Sequence, residues 1–233
     1  MPGGDAAYLD GLIGRVDPDR WLTSRFIAHS AARDDVLALY AFDHELARAR
    51  RAASTPLMAE IRLAWWREVL DEVFDGEAVR RHPTAQALAA AVARRGLVRA
   101  PLEAMIDAQI EALDSVEFDA DAAVRWADAV QGGVASLAAS ALDPASPASA
   151  VAAAGRAWGL ALLVRGGRIE RTAVAAPWRS ALAEARAASR TLSVAALPAA
   201  LPARLARYDF AGVTPGPLRK RLALIVAAAT GRV

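Results

Sequence analysis

Tyr40-Ala-Phe-Asp-His-Glu-Leu-Ala-Arg-Ala-Arg-Arg51 decides the fold. It continues out of Asp34-Asp-Val-Leu-Ala-Leu39 with no proline or glycine to break it, so the spacing predicts a helix over 31–51. Working outward, Glu60-Ile-Arg-Leu-Ala-Trp-Trp-Arg67 reads the same way. Ser54-Thr-Pro56 supplies a cap and an early proline, and that helix is expected to reach Phe74, just before Gly76. Upstream, Asp17-Pro-Asp19 opens the first predicted helix.

Punctuation marks the rest of the chain as further helices. His82-Pro83 starts one to about Arg95-Gly96, and Pro101 another to Leu113 or Asp114. Asp119 caps a long segment to Leu142 that contains Gly132-Gly133. Paired glycines inside a helix cost stability, so they point to close approach by a neighbour. Ser146-Pro147 begins a helix to Arg165, which Gly166-Gly167 stops. Pro177 opens a segment to about Arg190, prolines punctuate the tail, and an amphipathic helix starts at Leu218. No strand-like alternation of useful length appears. The expectation is all-α, one helical domain over 1–233.

Composition agrees. Hydrophobic residues make up 55% of 233, led by alanine and leucine, which favour helix. A chain of this length can bury one sizeable core. The absence of cysteine removes disulfide frameworks and thiolate zinc sites and fits a reducing compartment. Net charge is only +2, with Lys220 the sole lysine. Arg219-Lys-Arg221 is the one dense basic block and no aromatic residues interleave it, so nucleic acid is not an expected partner. The opening residues lack the charged and apolar regions of a signal peptide. The uncharged stretches 129–142 and 222–231 fall short of the roughly 20 residues of a span. The protein is expected to be cytoplasmic, with room for peripheral attachment to the inner face of the cytoplasmic membrane.

The two central helices together resemble the squalene/phytoene synthase family, enzymes that join two isoprenoid diphosphates head to head in a helical cavity. The resemblance implies an isoprenoid-synthase-like bundle around a central apolar cavity. Catalytic members carry Tyr-Ala-Phe/Trp-Cys-Arg-x-x-Asp-x-x-x-Asp, whose aspartates share a helix face and hold Mg²⁺ against a diphosphate. Counted from Tyr40, those aspartates fall on Ala47 and Arg51, and His44 replaces the motif arginine. The second motif, Gln-x-x-Asn-x-x-Arg-Asp-x-x-x-Asp, falls on Gly159, Leu162, Arg165, Gly166 and Glu170. Only Arg165 and an acid at Glu170 remain. Mg²⁺ is usually bound by one or two carboxylates plus phosphate oxygens, so the family chemistry has little support.

Asp17-Pro-Asp-Arg-Trp21, Phe42-Asp-His-Glu-Leu-Ala47, Trp65-Trp66-Arg67, His82-Pro83, Gly155-Arg-Ala-Trp-Gly-Leu160 and Leu205-Ala-Arg-Tyr-Asp-Phe210 narrow the resemblance. They are similar to a non-catalytic branch, the phytoene-synthase-like assembly factor of respiratory complex I and its bacterial relatives. Asp43 stands where that branch usually has asparagine. The resemblance thus implies a catalytically degenerate binder or assembly factor, with a protein partner in a membrane complex and an isoprenoid or lipid in the cavity. Residues expected to line the cavity are Tyr40, Phe42, Asp43, His44, Arg51, Trp65, Trp66, Gly159, Leu162 and Arg165.

Other acids form the alternative. Asp71 and Asp75 make an Asp-x-x-x-Asp at a helix end, and Asp107, Glu111 and Asp114 share a face. An active head-to-head prenyltransferase would need Glu170 with one of these clusters to bind Mg²⁺; otherwise no cofactor is expected. Solvated faces explain both clusters more simply. The three histidines show no ligand spacing, and no phosphate-cradling glycine loop or hydrolase elbow is present. Arg51, Arg165 and Arg168 would face the old diphosphate region and bind a phosphate directly, or else point to solvent. A third reading is a helical adaptor with no ligand.

Overall fold

Prolines and capping side chains start the helices, and left-handed glycines end several of them. The computed structural model describes residues 3–53, 55–113, 115, 117–147 and 149–233, and the helices below are those of the described residues. In chain order they are α1 (Gly3–Val16), α2 (Pro18–Ser24), α3 (Ser30–Arg51), α4 (Pro56–Asp75), α5 (Pro83–Arg95) and α6 (Arg99–Glu111). Then come α7 (Ala120–Trp126), a π-helical turn (Ala127–Gly132), α8 (Gly133–Leu142), α9 (Ser149–Arg165) and α10 (Ala175–Ala188). A 3₁₀ turn (Leu197–Ala199), α11 (Pro202–Ala211) and α12 (Pro217–Thr230) complete the chain. No strand occurs among the described residues.

The caps show why the boundaries fall there. The Asp17 carboxylate accepts from the Arg20 amide at 3.0 Å, with Pro18 in the first turn of α2. Thr55 caps α4 by accepting from the Met58 amide; Ser54 lies outside the described residues. Gly76 and Gly96 end α4 and α5 at φ +77° and +62°. Helix α1 was not expected from the sequence, which places the first helix at Asp17. Helices α6 and α10 also begin two residues before Pro101 and Pro177, because proline is tolerated throughout the first turn.

Two helices organise the packing. The buried face of α3 meets α1, α5 and α8, with α4 alongside. Asp35, buried on α3, accepts from Arg95 Nε at 2.6 Å and from Arg94, tying the end of α5 to the core. Helix α9 packs against the π-turn, α10 and α11. The expected close approach is real, but its tightest points are Gly155 and Gly159 of α9. A Cβ on Gly155 would stand 2.1 Å from the Gln131 carbonyl oxygen, and one on Gly159 would stand 2.9 Å from the Ala127 Cβ.

That closeness leaves little room inside. The hollow between Tyr40, Gln131, Val134 and Trp158 is about 10 Å³, room for about one water rather than a prenyl chain. At this point α9 lies against the π-turn and the buried Trp158 fills the space beside it. No helix among the described residues is long and apolar enough to cross a membrane.

Candidate functional site

The site grows from one buried arginine. Asp17 both caps α2 and accepts from Arg20 Nε at 2.5 Å, so the cap and the ion pair orient each other. The Arg20 guanidinium then crosses to α3, donating to Asp43 Oδ2 at 2.7 Å and to Gln131 Oε1 at 3.2 Å. Gln131 returns Nε2 to the Asp43 carboxylate at 3.0 Å. Arg20, Asp43 and Gln131 are all nearly inaccessible to solvent. Arg20 also stacks over the Tyr40 ring, 4.8 Å from its centre.

Electrostatics make this unit permanent at physiological pH. Burial alone would lower the Arg20 guanidinium, but Asp17 and Asp43 outweigh it and raise its pKa above the usual range. Burial pushes the Tyr40 phenol up to about 12 against the pull of Arg20, so it stays neutral. The π-turn supplies the third element. Such turns insert a residue into a helix and often occur at functional sites; here the turn carries Gln131.

Above this floor lies a cleft of about 520 Å³ between α2, α3, the end of α9 and α12. Its acids are already committed: Asp17 and Asp43 to Arg20, and Asp19 to Lys220 Nζ at 2.6 Å. Its bases are in excess. Among the described residues no carboxylate pairs with Arg50 or Arg51, and both line the cleft beside Arg165 and Arg168. Arg165 donates to Asp209 at 2.9 Å, and Arg168 to the Ser115 carbonyl oxygen at 2.5 Å while lying over Phe118. Burial, with repulsion from Arg168 and Arg51, pulls the Arg50 guanidinium down to about 10. An anion would relieve that crowding. Gln109, 1% exposed, borders the same cleft with its Nε2 unpartnered. A buried amide without a partner marks a place where a ligand oxygen or a water belongs.

The expected residues divide between this cleft and other places. It gathers Asp43, His44, Ala47, Arg51, Leu162, Arg165 and Gly166. Burial lowers the His44 pKa, with Glu45 opposing and Arg51 adding, which leaves a neutral ring at the cleft wall. Tyr40 faces the small hollow beside Trp158, and Phe42 is core, edge-on to Trp66 at 5.4 Å. Trp65 and Trp66 line a separate groove of about 400 Å³ with His82. Gly159 is a packing contact on Ala127, not a lining residue. Nothing in the local sequence pattern assigns a role to Gln109, Gln131 or Arg50. A lone glutamine inside the uncharged run 129–142 was the available signal for Gln131, since buried polar groups seldom lack a purpose.

The residues present do not fit a magnesium ion. Ala47, Arg51 and Gly166 offer no carboxylate. Helix α9 stops at Arg165, so Glu170 is not one helical turn beyond Gly166 and instead borders a second cleft with Arg171 and Thr172. The substitute acids lie elsewhere: Asp71 and Asp75 pair with Arg99, Asp107 pairs with Arg67 at 2.5 Å, and Glu111 sits 3.8 Å from Arg125. Asp114 lies outside the described residues. Among the described residues no group of three acids or histidines is placed to hold a metal.

The family model described as squalene/phytoene synthase matches residues 13–166. The structure is similar to a crystal structure of a dehydrosqualene synthase in complex with ligand, at TM-score 0.74 and 16% identity, covering 98% of this chain and 96% of that one. It is also similar to squalene synthase HpnC from Alicyclobacillus acidocaldarius, at TM-score 0.67 and 17% identity, covering 98% and 94%. No curated protein sequence matches. At these identities the two structures speak for the fold.

Proposed function

Because the chain belongs to the squalene/phytoene synthase family, we propose that it is a catalytically degenerate member that binds a phosphate or diphosphate head directly through arginine, without metal. The carrying observation is the cleft itself, in which Arg50, Arg51, Arg165 and Arg168 converge where the family motifs would place aspartates. Guanidinium groups match phosphate oxygens with paired donors and need no bridging ion. The cleft volume suits a headgroup.

The resemblance to the complex I branch supports a finer reading: the protein acts by binding, as an assembly factor for respiratory complex I or another membrane complex, from the cytoplasmic side. In cells lacking the chain, assembled complex I on native gels should fall; unchanged assembly would remove this finer role.

Calorimetry with inorganic pyrophosphate in EDTA tests the binding. The wild-type chain should bind, and Arg50→Gln with Arg168→Gln should weaken binding about a hundredfold, as charged hydrogen bonds on this scale imply. Binding that appears only with Mg²⁺ would overturn the reading.

A second prediction concerns turnover. Neither the wild type nor Ala47→Asp/Arg51→Asp should release diphosphate from farnesyl or geranylgeranyl diphosphate with Mg²⁺, because the α9 half of the metal site is missing. Release abolished by chelator would return the chain to the active prenyltransferases.

A further inference from the structure

Helix α12 carries two apolar stripes, and the fold uses one of them. At 100° per residue, Ala223, Leu224 and Ala227 form one side with Lys220. These three are buried in the bundle, and Lys220 reaches Asp19. The opposite side presents Leu218, Leu222, Ile225 and Val226, which are 79, 62, 54 and 47% exposed. An unpaired ridge of that size on a rigid element calls for a cover. The helix is no loose tail. Ser189 Oγ donates to the Gly231 carbonyl at 3.0 Å and Arg186 Nε to that of Val233 at 3.2 Å, pinning its end to α10.

The charges around the ridge say what covers it. Arg219 and Arg221 sit at its two margins, both exposed, with the Arg219 guanidinium over Tyr208 at 5.4 Å. Arg232 lies beyond its far end, also exposed, and residues 210–233 contain no acid. Apolar side chains flanked by guanidinium groups suit a surface with an oily interior and anionic heads. A second copy of the chain would bring the same cations to the same ridge with no acid to answer them.

We propose that the outer face of α12 seats the protein on an anionic lipid bilayer, with Leu218, Leu222, Ile225 and Val226 entering the headgroup boundary and Arg219 and Arg221 paired to lipid phosphates. The helix lies in the plane of the surface and does not cross it. This seat stands on the opposite side of α12 from the cleft, so it is independent of the arginine site.

Flotation of the full chain with vesicles tests it. The chain should float with phosphatidylcholine vesicles containing phosphatidylglycerol and stay behind with pure phosphatidylcholine. Arg219→Ala/Arg221→Ala should weaken partitioning about thirtyfold, and Leu222→Asp/Ile225→Asp about a hundredfold. Both pairs replace exposed side chains, so circular dichroism should show unchanged helix content. Pyrophosphate at matched ionic strength should leave wild-type flotation unchanged. Loss of flotation with pyrophosphate would assign membrane binding to the cleft and overturn the proposal. So would equal flotation of Leu222→Asp/Ile225→Asp. A wild-type dimer that this double variant dissolves, with no flotation, would give the ridge to a second copy instead.

Discussion

Asp43→Ala should destabilise the protein by about 3 kcal/mol, the lower end of the cost of breaking a buried ion pair, because Asp17 still answers Arg20. For a chain of this size that lowers the melting temperature by about 10 °C. The cost is large because Arg20, only 5% exposed, cannot turn to water when Asp43 goes. Gln131 would also lose the acceptor for its Nε2. Arg20→Met in the Asp43→Ala background should cost less than the two single changes added together, because the guanidinium that lost Asp43 is removed, even though Asp17 then forfeits its own partner. A double-mutant cycle by thermal melting reads this directly. Asp43→Ala melting within about 2 °C of wild type would mean that water reaches the network and the charges are not confined as described.

Gly155→Ala should cost about 3 kcal/mol, at or beyond the upper end of overpacking, although it adds a single methyl group. The added carbon would meet the Gln131 carbonyl at 2.1 Å and the Gly132 Cα at 2.7 Å, and both neighbours are backbone. Neither can step aside as a side-chain tip would, so α9 and the π-turn must separate. Gly76→Ala is the natural control. Its surroundings are open, and only the left-handed φ of +77° opposes the substitution, at about 1 kcal/mol. Urea midpoints for the two variants should differ accordingly. Because Gln131 sits on the displaced backbone, Gly155→Ala should also weaken pyrophosphate binding; an equal midpoint for both variants would mean that the helix crossing has slack.

Most of the helices were legible because their signals are local. Prolines, caps and glycines act within one turn, so α4 and α5 begin and end, and α2 and α7 begin, close to where the residues say; the division of the segment 119–142 into α7, the π-turn and α8 was not legible. Helix α1 escaped notice because Asp17-Pro18 is such a strong start that it reads as the beginning of the bundle. The site was half legible. Ala47, Arg51 and Arg165 could be placed by counting along α3 and α9, and the loss of carboxylates is a fact of sequence. Glu170 could not, since counting past Gly166 assumed a helix that Gly166-Gly167 had already stopped. The partnership of Arg20, Asp43 and Gln131 spans up to 111 residues. No local pattern announces such a contact; only the anomaly of a polar residue in an apolar run hints at it.

The π-turn at Ala127–Gly132 works as a phase shifter for the polypeptide. One extra residue in a helix rotates everything beyond it by about 100°. Upstream α7 packs on α6 and α9, and downstream α8 packs on both of these and on α3 as well, with faces that no single helical wheel would superimpose. A deletion of one residue within the turn would regularise the helix and leave its helical content almost untouched. It would nonetheless swing Gln131 away from Asp43, so that a spectroscopically intact chain would have lost the floor of its cleft.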